Sequence, residues 1–257
     1  MNVSFIGSGN LAWHLAPALD NTEYSVKEVY SQDSNNAEVL VKRLYHASVK
    51  SSLDFSDSPS RIFLIAVSDD VIMDIAQEIV LPKDAILLHT SGSQPLNVLS
   101  YADTSRLGVF YPLQTFSKNK KVDFEEIPFF IESEDGETER VLMTMAKAIS
   151  KKVFKISSED RKALHVAAVF ASNFTNHMLS VSRDILSGNN LDFEWLKPLI
   201  AETINKALSI GPDEAQTGPA KRGDLEILDK HLEFLQSDEA VAEIYRVISQ
   251  HIIDRYD

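Results

Sequence analysis

The sequence predicts an α/β fold in which an N-terminal, doubly wound parallel sheet is followed by an all-α C-terminal domain. Short apolar runs alternate with segments of helical spacing through residues 1–156, and repeated strand–helix units of this kind form parallel sheets. From Ser157 onward only helical periodicity remains. A chain of 257 residues is long enough for two domains, and we expect them at residues 1–156 and 157–257.

The strands and helices of the first domain are predicted from the spacing of apolar side chains. Residues 61–67 are almost all apolar, which is typical of a strand buried on both faces of a parallel sheet. The predicted strands are residues 3–6, 26–30, 61–67, 85–88, 107–111, 129–131 and 153–155. The predicted helices are residues 11–19, 37–44, 70–80 and 137–149. Pro17 should weaken the first helix because it lacks a backbone N–H.

The second domain is predicted to contain helices alone. Ser157 and the acidic residues after it form a good helix start, and the helices are predicted at residues 157–187, 193–209, 224–235 and 238–256. Residues 163–182 contain no Asp, Glu, Lys or Arg, although 25% of the chain is charged. Histidines and asparagines interrupt this stretch too often for a membrane span. We therefore interpret it as a buried central helix.

Composition and charge exclude several classes of function. The formal charge of −13 argues against nucleic acid or an anionic membrane as a partner. The chain has no cysteine, and its seven histidines lack metal-ligand spacing, so we expect no disulfide and no structural metal. The N-terminus runs directly into a strand without the features of a signal peptide. These properties lead us to expect a cytoplasmic protein.

A glycine-rich turn follows the first predicted strand. The G-x-G-x-x-G/A pattern is matched by Gly7, Ser8, Gly9, Asn10, Leu11 and Ala12, between a strand and a helix, which is the context in which it binds a dinucleotide. Gly7 permits the tight turn, Gly9 lets the main chain approach the pyrophosphate, and Ala12 lets helix and strand pack closely. The pyrophosphate would meet free N–H groups at the helix start. We therefore predict a Rossmann domain that binds a nicotinamide dinucleotide.

The end of the second strand should decide between NAD and NADP. NAD enzymes usually carry an acid there, about 20 residues after the glycines, to bind the ribose hydroxyls. This chain has Ser31 at that position, and Ser31, Gln32 and Ser34 can hydrogen-bond a 2′-phosphate. No arginine stands in the loop, and Asp33 is close enough to serve as the ribose acid. We favour NADP and keep NAD as the alternative.

Several strings outside the glycine turn carry a resemblance to one family. They are Ala66-Val67-Ser68-Asp69, His89-Thr90-Ser91-Gly92-Ser93, Tyr111-Pro112-Leu113-Gln114-Thr115-Phe116, Ala163-Leu164-His165, Ser172-Asn173-Phe174-Thr175-Asn176-His177, Thr217-Gly218-Pro219 and Arg222-Gly223-Asp224. Together they resemble Rossmann-like proteins with a helical DUF2520 C-terminal domain, described as oxidoreductases that depend on NADP or coenzyme F420. The chain is more distantly similar to pyrroline-5-carboxylate reductase, ketopantoate reductase and the 6-phosphogluconate dehydrogenase group. The resemblance implies the fold, the cofactor and a homodimer, but no substrate.

The chain departs from the broader group at two positions. Related hydroxyacid dehydrogenases carry a lysine one helical turn before an asparagine, whereas Val169 stands one turn before Asn173. That general acid is therefore missing. In relatives we also expect a histidine before Pro112, where this chain has Tyr111.

The polar face of the charge-free stretch is our candidate substrate site. At 100° per residue, His165, Asn173 and Asn176 fall within an arc of about 100°. Amides and an imidazole suit a cleft that orients a polar substrate, although a helix–helix interface satisfied by internal hydrogen bonds is the alternative. Arg222 lies in the polar loop of residues 217–224 and can hold a carboxylate or phosphate. Asp224 is interpreted as a helix N-cap.

Residues after two central strands should reach the same site. Ser91 and Gly92 follow a strand and can approach the nicotinamide, while Val67 and Ser68 can line the cofactor ribose. Hydride transfer to a carbonyl or imine needs a proton donor. His165 and His89 are the candidates, and we favour His165 because it shares a face with both asparagines.

Three functional hypotheses follow. The first is an NADP(H)-dependent oxidoreductase acting on a small polar carbonyl, imine or hydroxy compound. The second is a non-catalytic module that binds NADP(H) to sense it or to regulate a partner. The third is a flavin- or deazaflavin-linked oxidoreductase in which nicotinamide is the second substrate. The helical domain offers more apolar surface than a small domain can hide, which favours a homodimer.

Overall fold

The computed structural model describes residues 1–256, which form two compact units. The first runs from Met1 to Ser172 and the second begins at Asn173. This division lies later than the predicted boundary at residue 156. The helix that follows residue 156 belongs to the first unit, and its Arg161 side chain is completely buried and donates to the Ser91 carbonyl.

The first unit is built on an eight-stranded sheet within the described residues, in the order β3-β2-β1-β4-β5-β6-β7-β8. The strands are β1 (Asn2–Ile6), β2 (Ser25–Tyr30), β3 (Ser48–Lys50), β4 (Ile62–Ile65), β5 (Ile86–His89), β6 (Arg106–Pro112), β7 (Phe129–Glu132) and β8 (Val153–Lys155). The helices of this unit are α1 (Asn10–Asp20), α2 (Ser34–Val41), α3 (Ile72–Glu78), α4 (Gly136–Lys147) and α5 (Ser158–Ala168). This is the doubly wound α/β architecture that the sequence predicts, and α1 continues through Pro17 to Asp20.

The central strands are buried on both faces of the sheet. In β4, Ile62 and Leu64 pack into one apolar cluster, whereas Phe63 and Ile65 pack into a second. Successive side chains of a strand point to opposite faces, so the two clusters lie on opposite sides of the sheet. The almost unbroken apolar run of β4 is explained by this burial.

Two features of the sheet differ from the prediction. Strand β7 pairs antiparallel with β6, whereas all other neighbours are parallel. A short apolar run specifies a strand but not its direction, so the sequence could not distinguish the two. The short edge strand β3 (Ser48–Lys50) was not predicted, because Val49 is its only apolar residue.

The second unit is helical. Its elements are α6 (Thr175–Gly188), α7 (Lys197–Ile210), α8 (Pro212–Ala215), α9 (Pro219–Arg222), α10 (Leu225–Phe234) and α11 (Glu239–Tyr256). The short helices α8 and α9 occupy parts of the chain that the sequence predicts as loop. None of the helices in residues 1–256 has both the length and the apolar character needed to cross a membrane.

The charge-free stretch of residues 163–182 is not the buried central helix that the sequence predicts. It is divided among α5, a π-helical segment (Val169–Phe174) and α6. None of its residues is buried in the single chain, and Phe170 is 64% exposed. A stretch without charged residues is suited to burial, but its composition does not identify the surface that would bury it.

Candidate functional site

A cavity of about 700 Å³ lies at the carboxyl edge of the sheet, where β1, β2 and β4 end. In open α/β sheets this edge, where the strand order reverses, is the usual ligand site. The lining residues are Gly7, Ser8, Gly9, Asn10, Leu11, Tyr30, Ser31, Gln32, Asn36, Leu53, Ala66, Val67, Ser68, Val71, Asp74, Ile75, Glu78, Thr90 and Lys118. Ala12 is buried beneath the turn. The structure therefore brings together most of the residues predicted to bind a cofactor.

The glycine turn has the geometry that the sequence predicts. Gly7 has φ +115°, and a Cβ there would lie 2.2 Å from the carbonyl oxygen of Ala66, so only glycine fits. Its N–H donates to the carbonyl of Tyr30 at 2.8 Å. Gly9 is different, because a Cβ there would be 4.0 Å from its nearest neighbour, the same carbonyl oxygen. Gly7 is thus needed for the fold, and Gly9 is open toward the cavity.

The start of α1 is available to an anion. Within the described residues, no side chain forms a capping hydrogen bond at the Gly9 N-cap, and the first turn carries no acidic residue. The unpaired N–H groups and the helix dipole at such an end bind phosphate. The cavity is therefore suited to a pyrophosphate at this position.

Asp33, after the end of β2, caps the helix that follows it. Its carboxylate accepts hydrogen bonds from the Asn35 N–H at 3.0 Å and the Asn36 side chain at 3.3 Å, so it serves as the N-cap of α2. Asp33 does not line the cavity, whereas Ser31 and Gln32 do. Ser34, a predicted phosphate ligand, does not line it either. Hydroxyl and amide groups thus stand where an NAD site would place its acid.

Beyond the end of β5, the main chain of Ser91 is held on both sides by buried groups. Its N–H donates to His89 Nδ1 at 3.1 Å, and its carbonyl accepts from Arg161 Nη1 at 2.8 Å. Ser91 and Gly92 do not line the cavity themselves, but the preceding residue, Thr90, does. The predicted nicotinamide segment therefore borders the cavity in a fixed conformation.

Arg161 is a residue that the sequence analysis missed. Its side chain is completely buried, and Nη2 contacts Glu132 Oε2 at 2.9 Å and Ser158 Oγ at 3.3 Å. In sequence it stands in a charged helix start and looks like a solvated surface residue. The available signal is its position one helical turn before His165, on the same face of α5.

His89 is positioned as a structural residue. It has no exposed surface, and burial, helped by the neighbouring Arg161 charge, lowers its pKa to about 3. Because Nδ1 accepts from the Ser91 N–H, the proton of the neutral ring is on Nε2. A neutral, enclosed imidazole is a poor proton donor, so the structure argues against the predicted catalytic role of His89.

Tyr111 and His165 form a pair beside Gly92. The Tyr111 hydroxyl lies 3.0 Å from His165 Nδ1, and a Cβ on Gly92 would be 2.4 Å from that nitrogen and 2.8 Å from Tyr111 Cζ. The pair therefore packs directly on the Gly92 main chain. Burial raises the pKa of Tyr111, so the phenol keeps its proton at neutral pH. This arrangement gives His165 a partner that the sequence alone did not reveal.

Three predicted substrate ligands, Asn173, Asn176 and Arg222, lie in the helical unit. Asn173 and Asn176 are exposed, and Arg222 donates through Nε to Asp224 Oδ2 at 2.9 Å. Asp224 occupies the N-cap position of α10, but its side chain forms no capping bond there. The projection of His165, Asn173 and Asn176 onto one face assumed a regular α-helix. The intervening π-helical segment breaks that regularity.

Together, the sheet order, the glycine turn and the open start of α1 define a Rossmann-like dinucleotide-binding protein. Residues 127–252 match the family described as a domain of unknown function, DUF2520. Over 98% of both chains, the protein is 37% identical to a Bacteroides fragilis protein provisionally named an NADP oxidoreductase, with a TM-score of 0.89. The chain belongs to the family of that protein. Comparison with curated proteins gives no significant match.

More distant structures share the fold. A Thermotoga maritima protein is 23% identical with a TM-score of 0.72, covering 99% of this chain and 98% of that one. A reductive aminase from Aspergillus terreus, crystallised with NADPH and ethyl levulinate, is 12% identical with a TM-score of 0.74. That match covers 98% of this chain and 92% of the aminase. At these identities the likeness shows the fold alone.

The buried His89 predicts an acid-sensitive fold. Its pKa of about 3 in the folded chain lies below the unfolded value of about 6.5. As the pH falls below 6.5, the unfolded chain therefore binds a proton that the native chain does not, and stability is lost. Between about pH 7.5 and about pH 5.5, this group should lower the free energy of unfolding by about 1.4 kcal/mol.

Urea unfolding of the wild type and His89→Asn at both pH values measures this contribution. The asparagine oxygen can still accept from the Ser91 N–H, so the variant should lose about 1.4 kcal/mol less than the wild type over that interval. His251→Asn, on the exposed surface of α11, is the control and should follow the wild type. Equal pH dependence in the wild type and His89→Asn would contradict the assignment.

Proposed function

We propose that the protein is an NADP(H)-dependent oxidoreductase that transfers a hydride to or from a small polar carbonyl, imine or hydroxy compound. The observation that carries this proposal is the cavity between the uncapped start of α1 and the hydroxyl and amide groups of Ser31 and Gln32. Its family member from Bacteroides fragilis is named for NADP, which supports the same cofactor. The reductive aminase complex with NADPH supports it at the level of the fold.

The reaction needs a proton as well as a hydride. A bound NADPH would supply the hydride, and the oxygen or nitrogen of a reduced carbonyl or imine would then need one proton. We assign that proton to the Tyr111–His165 pair. If His165 Nδ1–H donates to the phenol oxygen, the Tyr111 proton is free to point toward the substrate. His165 then passes its Nδ1 proton to the phenolate while its Nε2 takes up one proton from solvent, so that the imidazole ends neutral. Val169 stands where related dehydrogenases use lysine, which makes another donor necessary.

Three residues of the helical unit are candidate substrate ligands on chemical grounds. Asn173 and Asn176 offer amide groups that can donate and accept, and Arg222 offers a guanidinium for an anionic group. Arg222 already pairs with Asp224 in the structure, so an anionic substrate would have to compete with that carboxylate.

A non-catalytic NADP(H)-binding module is the second candidate. The absence of the usual lysine at Val169 favours it. Turnover of NADPH with a library of carbonyl and imine compounds separates the two functions, because a sensor binds NADPH without consuming it. If turnover required added deazaflavin, the protein would instead be the deazaflavin-linked oxidoreductase of the third hypothesis.

The assigned cofactor site predicts that Gly9→Val abolishes tight NADPH binding. A Cβ at Gly9 has room in the fold, but the branched side chain would occupy the space of the pyrophosphate. We expect a loss of several kcal/mol in binding, equivalent to at least about 100-fold in Kd. Titration of NADPH fluorescence measures it.

The matched control is Gly136→Val at the start of α4. A Cβ at Gly136 meets nothing within 4 Å, and the residue is outside the cavity. This variant should bind NADPH as the wild type does. If Gly9→Val also binds NADPH with wild-type affinity, the site assignment is wrong.

The proton donor is tested by His165→Gln and Tyr111→Phe once a substrate is found. Each change removes one member of the hydrogen-bonded pair, so turnover should fall about 100-fold, the size of a typical general-acid contribution, with NADPH affinity unchanged. His177→Gln, an exposed histidine of α6, is the control and should keep wild-type turnover. Wild-type turnover in both His165→Gln and Tyr111→Phe would remove the pair from the mechanism.

We further propose that the protein is a homodimer through its helical unit. Residues 193–210 expose five large apolar side chains, and Leu208 is 82% exposed; the five are Trp195, Leu199, Ile204, Leu208 and Ile210. Surfaces of this kind are unusual on a monomer and common at interfaces.

Light scattering at micromolar concentration should give twice the chain mass of 28.7 kDa. Leu208→Glu should shift the protein toward monomer, because burying an unpaired carboxylate is costly. Tyr101→Glu, at an exposed aromatic residue of the first unit, should remain dimeric. A monomeric wild type would refute the proposal.

A further inference from the structure

The first part of the loop between β6 and β7 is basic, although acidic residues follow it at positions 123, 125 and 126. Residues 113–122 contain three lysines, Lys118, Lys120 and Lys121, and no acidic residue, in a chain of formal charge −13. A basic segment on an acidic protein attracts anions locally, whatever the net charge. A lysine of this segment can bind the cofactor only if the fold places it beside the nucleotide cavity.

Contacts of the two residues before Lys118, Phe116 and Ser117, hold the loop against α1. His14, on α1, lies with its Nε2 2.9 Å from the carbonyl oxygen of Ser117. Its ring also lies 6.2 Å from that of Phe116, which in turn stacks on Phe124 with ring centroids 6.0 Å apart. These contacts bring the segment next to the helix whose first turn borders the cavity.

Lys118 is directed differently from the other two lysines. It lines the nucleotide cavity together with Gly9, Asn10 and Leu11. Lys120 and Lys121 line a separate depression formed by the loop itself. Among the residues that the structure describes, Lys118 is the only basic side chain in the cavity lining.

A second cation stands close to the same place. The Lys118 Nζ lies 5.1 Å from the centroid of the Trp13 ring, and the Arg43 guanidinium lies 3.9 Å from that centroid. Arg43 also donates to the Trp13 carbonyl oxygen. Two positive groups around one indole, next to the positive end of α1, favour an anion on this side of the cavity. The two carboxylates that line the cavity, Asp74 and Glu78, belong to a different element, α3.

We propose that Lys118 binds a phosphate group of the cofactor, so that the loop of residues 113–122 is part of the nucleotide site. This inference rests on the proposed function. An ammonium group and a phosphate form a charge-assisted hydrogen bond, and the cavity supplies no other basic side chain for it. The phosphate belongs either to the diphosphate, which NADH and NADPH share, or to the 2′-phosphate, which only NADPH carries.

Binding of NADPH and NADH to the wild type, Lys118→Gln, Lys118→Arg and Lys120→Gln tests the proposal. Loss of a hydrogen bond to a charged group should weaken NADPH binding about tenfold or more in Lys118→Gln. Lys118→Arg should retain most of the affinity because it retains the charge. Lys120→Gln removes the same charge from the same loop outside the cavity and should change affinity less than about twofold. Circular dichroism confirms that the variants are folded.

Comparing NADH with NADPH shows which phosphate of the cofactor Lys118 contacts. An equal loss for NADH and NADPH assigns Lys118 to the diphosphate, and a loss confined to NADPH assigns it to the 2′-phosphate; both results support the proposal. Lys118→Gln binding like Lys120→Gln would overturn it and leave the proposed function intact. A wild type that binds neither cofactor would instead overturn both.

Discussion

The close approach of the Gly7 turn to the end of β4 is the constraint on which the cofactor site depends. Gly7 lies beneath the Ala66 carbonyl with a positive φ, and its N–H is bonded to Tyr30 at the end of β2. Three strand ends therefore meet around one residue without a side chain. That contact leaves the start of α1 open toward the cavity.

A second constraint fixes the neighbouring strand end. Burying the guanidinium of Arg161 is costly. Its two terminal nitrogens donate to Glu132, Ser158 and the Ser91 carbonyl, whereas its Nε has no hydrogen-bond partner among the described residues. The same main-chain segment is held from the other side by His89. Two buried ionisable groups thus serve to orient one peptide. The free-energy cost of burying Arg161 and His89 is explained if the Ser91–Gly92 segment must present the nicotinamide to Tyr111 and His165.

The sequence predicts the fold well where one signal is enough. The glycine pattern lies between a strand and a helix, and the apolar run of β4 is long, so both identify a doubly wound sheet without further information. The direction of β7 and the edge strand β3 could not be predicted, because each depends on pairing that a short segment does not encode. The sequence also did not predict that residues 163–182 are unburied in the single chain. Their low charge favours burial but does not identify a surface that would bury them.

The residues of the candidate site were likewise predicted only in part. Local chemistry predicts Gly7, Gly9 and Ser31, whereas Arg161, Tyr111 and Lys118 are brought to the site by tertiary packing. Arg161 stands among charged residues, and Lys118 lies in a basic loop far along the chain, so neither is distinguished by its neighbours in sequence. Asp33 shows the opposite case, because a residue that suggests a ribose ligand is used to cap α2.

The groups at the end of β2 predict that the cavity binds NADPH in preference to NADH. Isothermal titration calorimetry with both cofactors under identical salt conditions tests it most directly. The absence of an acid at the end of β2 and the groups at Ser31 and Gln32 predict that NADPH has the lower Kd, by about tenfold or more. Equal or tighter binding of NADH would contradict the account, because it would show that these groups do not recognise a 2′-phosphate.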